Sequence, residues 1–294
     1  MFVRFVFLIV AFVCSHPLVA QFKTDSLSTT QRFKQHIAVL SADSLQGRAP
    51  GTAFELKAAN YIIGQLRHSG IIADTIGFTI RINKDSVLNC FNVFGFIDNK
   101  ADSTILISAH YDHLGLGSNK SRELRKKGIH PGADDNGSGV ALAIELAQQL
   151  QQRSFGKKYN YVFAFFTAHE MGLFGSYNFT RSALFDLLHL KAALNFDMVG
   201  RLQPTSKIVR VSTCVQDTSL RSFLLPLQNS GLYLRADEAG ETVNDFTVLC
   251  EHCVPAVSFT TGLHDDYHRM SDTPEKINYG GIYQLLIAVE QLLH

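Results

Sequence analysis

Residues 103–112 read STILISAHYD, a short apolar run that ends in His110, Tyr111 and Asp112. An apolar run of this length without alternation fits a strand buried on both faces, as in a parallel sheet. Three more runs have the same form, at Tyr161–Thr167 (YVFAFFT), Lys191–Phe196 (KAALNF) and Val254–Thr260 (VPAVSFT). Residues able to bind a metal stand at or beyond their ends: Glu170, Asp197 and His268. Asp134 opens the helix-like stretch Gly137–Gln152. Ligand sites of open α/β sheets gather outside the carboxyl ends of the strands. His110, Asp134, Glu170, Asp197 and His268 are therefore placed to converge.

Around these runs, Thr29–Leu40, Ala53–His68, Asp217–Ser230 and Gly281–Leu293 also read as helices. In the second, Phe54, Ala58, Tyr61, Ile62 and Leu66 fall along one face. Val87–Phe96 reads as a further strand. Strands alternating with helices predict a three-layer α/β/α sandwich with a mostly parallel central sheet. No repeat or low-complexity linker interrupts the pattern, which predicts one domain over residues 21–294.

The chain has 294 residues, 46% hydrophobic and 18% charged, ample for one large core. A net charge of +1 gives no electrostatic case for nucleic acid. Arg4, the apolar run Phe5–Val13 and the small residue Ala20 read as a secretory signal over residues 1–20. Export to the periplasm or the outside follows, with no membrane span after signal removal. In that compartment Cys250 and Cys253, with two residues between them, are expected either to pair with each other or to stand as buried thiols.

The five candidate ligands are spaced too widely for a zinc finger. Imidazole and carboxylate donors suit zinc, whose catalytic sites keep a position open. One bridging carboxylate, plus a carboxylate and a histidine for each metal, uses all five and predicts two zinc ions. Asp134, in the glycine-rich stretch Gly132–Gly139, reads as the bridge. Asp112 is expected to accept the second ring N–H of His110 and fix its tautomer.

The segments His110–Gly115 (HYDHLG), Gly132–Asn136 (GADDN), Glu170–Ser176 (EMGLFGS), Asn195–Met198 (NFDM) and Asp266–His268 (DYH) stand in the order found in the secreted di-zinc aminopeptidases, peptidase family M twenty-eight. Ser44–Thr52 (SLQGRAPGT) also resembles the family's loop before its first long helix. The resemblance implies one zinc held by Asp134, Glu170 and His268 and a second by His110, Asp134 and Asp197. It further implies a metallo-aminopeptidase removing N-terminal residues from peptide substrates. A glutaminyl-cyclase-type zinc acyltransferase and a catalytically silent metal- or peptide-binding relative are the alternatives.

One departure bears on the chemistry. Where the resemblance places a glutamate, the general base, just before the ligand glutamate, this chain has His169. His169 is the candidate base here. Tyr267, beside His268, is placed either to touch the reacting carbonyl or to pack in the pocket wall. His113 and His264 read as supporting hydrogen-bond groups, and His130 and His252 as surface residues. The basic loop Ser118–His130, with Lys120, Arg122, Arg125, Lys126 and Lys127, reads as a solvated loop bordering the cleft.

Overall fold

The computed structural model describes residues 26–123, 127–152, 157–214, 223–236 and 244–293. The apolar run before Tyr111 forms β3 (Thr104–His110), and every residue in it is buried. Side chains alternate across a strand, and here both sets are buried. Ile105, Ile107 and Ala109 enter one core, while Leu106 enters a second on the opposite face. In β4 (Asn160–Phe166) the same parity sends Tyr161, Phe163 and Phe165 one way and Val162, Ala164 and Phe166 the other.

Two apolar faces require two covering layers. The first is built from α1 (Ser26–Leu40), α2 (Ala53–His68), α3 (Gly139–Gln152) and α7 (Tyr279–Leu292). The second is built from α4 (Phe174–Thr180), α5 (Ala183–Leu187) and α6 (Asp245–Glu251). Between them, from edge to edge, run β1 (Ile72–Asn83), β2 (Ser86–Ile97), β4, β3, β5 (Leu190–Phe196), β8 (Ala256–Thr260), β6 (Ile208–Thr213) and β7 (Tyr233–Ala236). The central strands β4, β3, β5 and β8 are mutually parallel, whereas β1 with β2, β2 with β4, and β6 with β8 are antiparallel. The expected α/β/α sandwich is the observed one.

Several expectations need correction. The hairpin strand β1 carries exposed residues between its buried ones, β6 alternates buried with half-buried residues and β7 has none buried, so they lack the continuous apolar signal of the central strands. Of the helix expected at Asp217–Ser230, only its last part is described, and there it is a short, tight turn over Leu225–Asn229. The expected signal segment lies outside the described residues. No helix among those residues is long and apolar enough to cross a membrane.

The cysteine expectation also fails. Cys250 pairs with Cys214, at the end of β6, and not with Cys253. Their Cα atoms are 5.5 Å apart, within the range a disulfide spans. Cys253 lies beyond the end of α6 in a left-handed conformation (φ 60°) and is exposed. Cys90 is a buried thiol.

Candidate metal centre

β3 and β5 end side by side, and each delivers a donor just at or past its last residue. His110 closes β3, and Asp197 follows β5. His110 Nε2 lies 3.6 Å from Asp197 Oδ1 and 3.3 Å from Asp135 Oδ1. The other Asp135 oxygen lies 3.3 Å from His268 Nε2, which is itself 3.3 Å from Glu170 Oε1. One carboxylate therefore serves two donor sets: His110 and Asp197 on one side, Glu170 and His268 on the other.

The carboxylate between the two sets is that of Asp135, one residue beyond the expected Asp134. Asp134 turns away from the cluster. Its Oδ1 accepts a 2.6 Å hydrogen bond from the Gly200 N–H, and its Oδ2 lies 3.1 Å from His264 Nε2. The reason is the backbone: both residues donate their N–H to Asp272 Oδ2, at 2.9 and 3.0 Å, and successive side chains leave that turn in different directions. A Cβ at Gly200 would come within 2.6 Å of Asp134 Oδ1, so glycine is needed there for the close approach.

The donors fit zinc. For bonds of about 2.0–2.2 Å in a tetrahedral site, donors stand roughly 3.3–3.6 Å apart, and the separations above fall in that range. His110 Nε2 and Asp135 Oδ2 are buried with no hydrogen-bond partner among the described residues. Burial would push the Asp135 carboxyl up, yet the His113, His110 and His268 rings hold it well below the usual carboxylate range. Burial likewise opposes charge on His268, but bonding to Asp135 and Glu170 raises it to about 10. Such a set of carboxylates calls for nearby positive charge, which a divalent ion supplies.

The surrounding groups orient the donors. His110 Nδ1 meets the carbonyl oxygen of Asp112 at 3.2 Å, closer than the Asp112 carboxylate at 3.7 Å, so the expected carboxylate contact is secondary. That carboxylate instead accepts the backbone N–H of His169 and of Glu170, each at 3.1 Å. It thereby fixes the loop after β4, where Ala168 adopts a left-handed φ of 53°. His268 Nδ1 lies 3.0 Å from the Lys120 carbonyl. Tyr267 stacks on the His268 ring with centroids 3.8 Å apart, and Arg122 lies over the Tyr267 ring. Tyr267 thus packs against a donor.

His169 stacks on His110, with centroids 3.8 Å apart and planes 9° apart. Its Nδ1 lies 3.0 Å from Asp245 Oδ2. Burial and the neighbouring His110 would lower the His169 pKa, but Asp245 outweighs them and raises it.

Sequence reasoning undervalued three residues. His113 is more than a distant support: its Nδ1 is 3.1 Å from Glu170 Oε1 and 3.8 Å from Asp135 Oδ2. His130, expected at the surface, is fully buried between Ser121 Oγ and the Gly128 carbonyl. Lys120 reaches to 3.7 Å from Glu170 Oε2, so the basic loop does border the site; Arg125 and Lys126 lie outside the described residues. His113 directly follows Asp112 and nothing local marked it as a partner of Glu170, and the Asp134–Asp135 pair offered no spacing by which to choose between its members. His264 acts as expected, through Asp134.

The sequence profile of peptidase family M28 matches residues 92–292. Leucine aminopeptidase 1 of Emericella nidulans is 26% identical over 226 residues, which cover 73% of this chain and 56% of that protein. The chain spans about half or less of the length of such curated relatives. Among solved structures, the LapA aminopeptidase of Legionella pneumophila is similar with a TM-score of 0.72 at 21% identity, over 92% of this chain and 72% of that one. The glutaminyl cyclase of Porphyromonas gingivalis is similar with a TM-score of 0.76 at 19% identity, over 91% and 97% of the two chains. At these identities the two structures attest the fold. The profile match runs from within β2 into α7 and takes in His110, Asp135, Glu170, Asp197 and His268, so the chain belongs to peptidase family M28.

Proposed function

We propose that this chain is an exported zinc aminopeptidase that holds two zinc ions, one by His110, Asp135 and Asp197 and one by Asp135, Glu170 and His268. The observation that carries the reading is the aim of the two Asp135 oxygens at two different histidines, each already beside a further carboxylate. A two-donor-set site supports hydrolysis over acyl transfer at a single metal. Zinc held there would lower the pKa of a water and polarise a scissile carbonyl.

The protein's own groups supply the rest. His169 takes the water's proton and later passes it to the departing amine. Asp112 holds the backbone of His169 and Glu170 in register, and Tyr267 holds His268. Near the cluster, the described carboxylates other than the three metal-facing ones are already engaged. Asp112 binds backbone, Asp134 binds Gly200 and His264, Asp245 binds His169, and Asp272 binds backbone and Arg201. A substrate's free ammonium therefore has little dedicated charge to meet. Weak hydrolysis of simple aminoacyl substrates follows, with a relaxed demand for a free N-terminus. The Cys214–Cys250 disulfide supports export, since such bonds persist in oxidising compartments.

Elemental analysis and steady-state kinetics on aminoacyl and N-blocked anilides test the proposal. Two zinc ions per chain and zinc-dependent release of amine are expected, with a higher rate on free aminoacyl substrates for His169→Glu. One ion per chain, with occupancy unchanged in Asp197→Ala, would overturn the paired site. Unchanged rates in both His169→Glu and His169→Ala would remove His169 as the base.

A further inference from the structure

His169, Asp245 and Ser176 form a buried line that starts at the metal centre and leads away from it. Asp245 Oδ2 lies 3.0 Å from His169 Nδ1, and Asp245 Oδ1 accepts a 2.6 Å hydrogen bond from Ser176 Oγ. Asp245 and Ser176 are fully buried. The three residues come from separate places: the loop after β4, the start of α6, and α4. Asn244 caps α6 through a 3.0 Å bond from the Phe246 N–H, and this fixes the turn that presents Asp245.

An ionised carboxylate only accepts hydrogen bonds, so the hydrogen between the two residues sits on His169 Nδ1. In the neutral ring that leaves the Nε2 lone pair free. One use for it would be a metal, because donor atoms of His110, His169 and Asp197 all lie within 4.8 Å of one another. The stacking argues against that use. Imidazole binds an ion in the plane of its ring, and the His110 and His169 planes are nearly parallel, 9° apart, with centroids separated by 3.8 Å. An ion held in the plane of the His110 ring would lie outside the plane of His169, so the His169 ring stands beside the first donor set and not in it, where a proton acceptor is useful.

We propose that Asp245 is the positioning residue of the general base. It holds His169 as the Nδ1–H tautomer so that Nε2 takes the proton, and Ser176 in turn holds Asp245. The inference rests on the hydrolase reading above. As the water attacks, its O–H bond breaks, the proton goes to Nε2, and the electron pair forms the bond to the carbonyl carbon. The C–N bond then breaks and the Nε2 proton goes to the departing amine, so the ring ends neutral. Asp245 keeps its charge throughout and stabilises the transient imidazolium, as a carboxylate does for the histidine of a catalytic triad.

The experiment uses the zinc-loaded full chain with Asp245→Asn, Ser176→Ala and His169→Ala, reading kcat, KM and zinc content, together with the imidazole nitrogen-15 spectrum. Asp245→Asn should lower kcat about 100-fold or more, the scale of one general base. KM and zinc content should stay unchanged, and the His169 hydrogen should move from Nδ1 to Nε2. Ser176→Ala should give a smaller loss in the same direction. If His169→Ala is impaired while Asp245→Asn keeps kcat within twofold, the positioning role is wrong and the base survives. If His169→Ala is unimpaired, the base assignment itself fails. Should Asp245→Asn not fold, the parent spectrum decides: a hydrogen on Nε2 of His169 overturns the proposal, and one on Nδ1 sustains it.

Discussion

Asp134 and Asp135 are neighbours in the chain and face opposite ways, Asp134 toward Gly200 and His264, Asp135 toward His110 and His268. Asp135→Asn should therefore reduce zinc binding at both sites. Asp134→Asn should leave two ions bound but destabilise the fold by about 1–3 kcal/mol, because a buried acceptor of two hydrogen bonds is compromised. Elemental analysis and thermal unfolding of the metal-free proteins separate the two effects. Loss of zinc from Asp134→Asn alone would reverse the assignment.

Arg48 is fully buried, and its guanidinium donates only to carbonyls: Tyr111 at 2.8 Å, Pro131 at 2.7 Å, Gly132 at 3.0 Å, and Leu40. It ties the loop after His110 to the loop before Asp135. Burial lowers its pKa to about 10, against the pull of nearby carboxylates led by Asp135, so it remains charged at neutral pH. Arg48→Met strands four carbonyls and should cost about 3–5 kcal/mol, the scale of breaking a buried charged network. Chemical denaturation checks the cost, and a weaker zinc affinity in the folded fraction checks the splice between the loops.

Glu55 sits beneath the site, accepting from Thr167 Oγ1 and the Gly51 N–H. Burial raises its pKa from 4.5 to about 7, although the Thr167 and Gly51 bonds pull it down. Because the folded value is the higher one, the unfolded chain loses this proton first as pH rises. Stability from this group is complete below about 4.5 and declines up to about 7, by at most roughly 3 kcal/mol. Glu55→Gln should flatten that slope. Denaturation midpoints between acid and neutral pH, measured on both proteins, give the comparison, and equal slopes would refute it.

The disulfide closes a sequence separation of 36 residues, for which loop-closure entropy gives about 4 kcal/mol. Replacing Cys214 and Cys250 by serine should lower stability by that order or less. Peptide mapping without reduction should recover Cys214 linked to Cys250, with exposed Cys253 the thiol that reacts in the native protein. A Cys250–Cys253 peptide would contradict the fold.

The central sheet was legible because β3, β4, β5 and β8 are buried on both faces and so are largely apolar, without the alternation of a half-exposed strand. The edge strands β1 and β7 face solvent in part, and their mixed composition hid them. Four of the five metal-facing residues could be read from their places after those strands. On the proposed reading the fifth is Asp135 in place of the expected Asp134, and only the fold separates the two: Asp134 meets Gly200 and His264, while Asp135 meets His110 and His268. The partner of Cys250 was hidden for the same reason: it is adjacent because α6 packs against β8, which pairs with β6, and the short spacing to Cys253 was a poor guide because Cys253 lies past the helix end in a left-handed conformation. Asp245 lies 76 residues from His169 in sequence and meets it only through the fold.

The donors are strung along most of the chain, from His110 at the end of β3 to His268 just before the last helix. No shorter stretch carries both donor sets. During synthesis, a chain that has produced His110, Asp135, Glu170 and Asp197 still lacks the histidine that completes the second set. On the proposed reading, a chain that ends before His268 could hold the first zinc by His110, Asp135 and Asp197 but not the second, so full zinc loading would report a chain finished to its last donor.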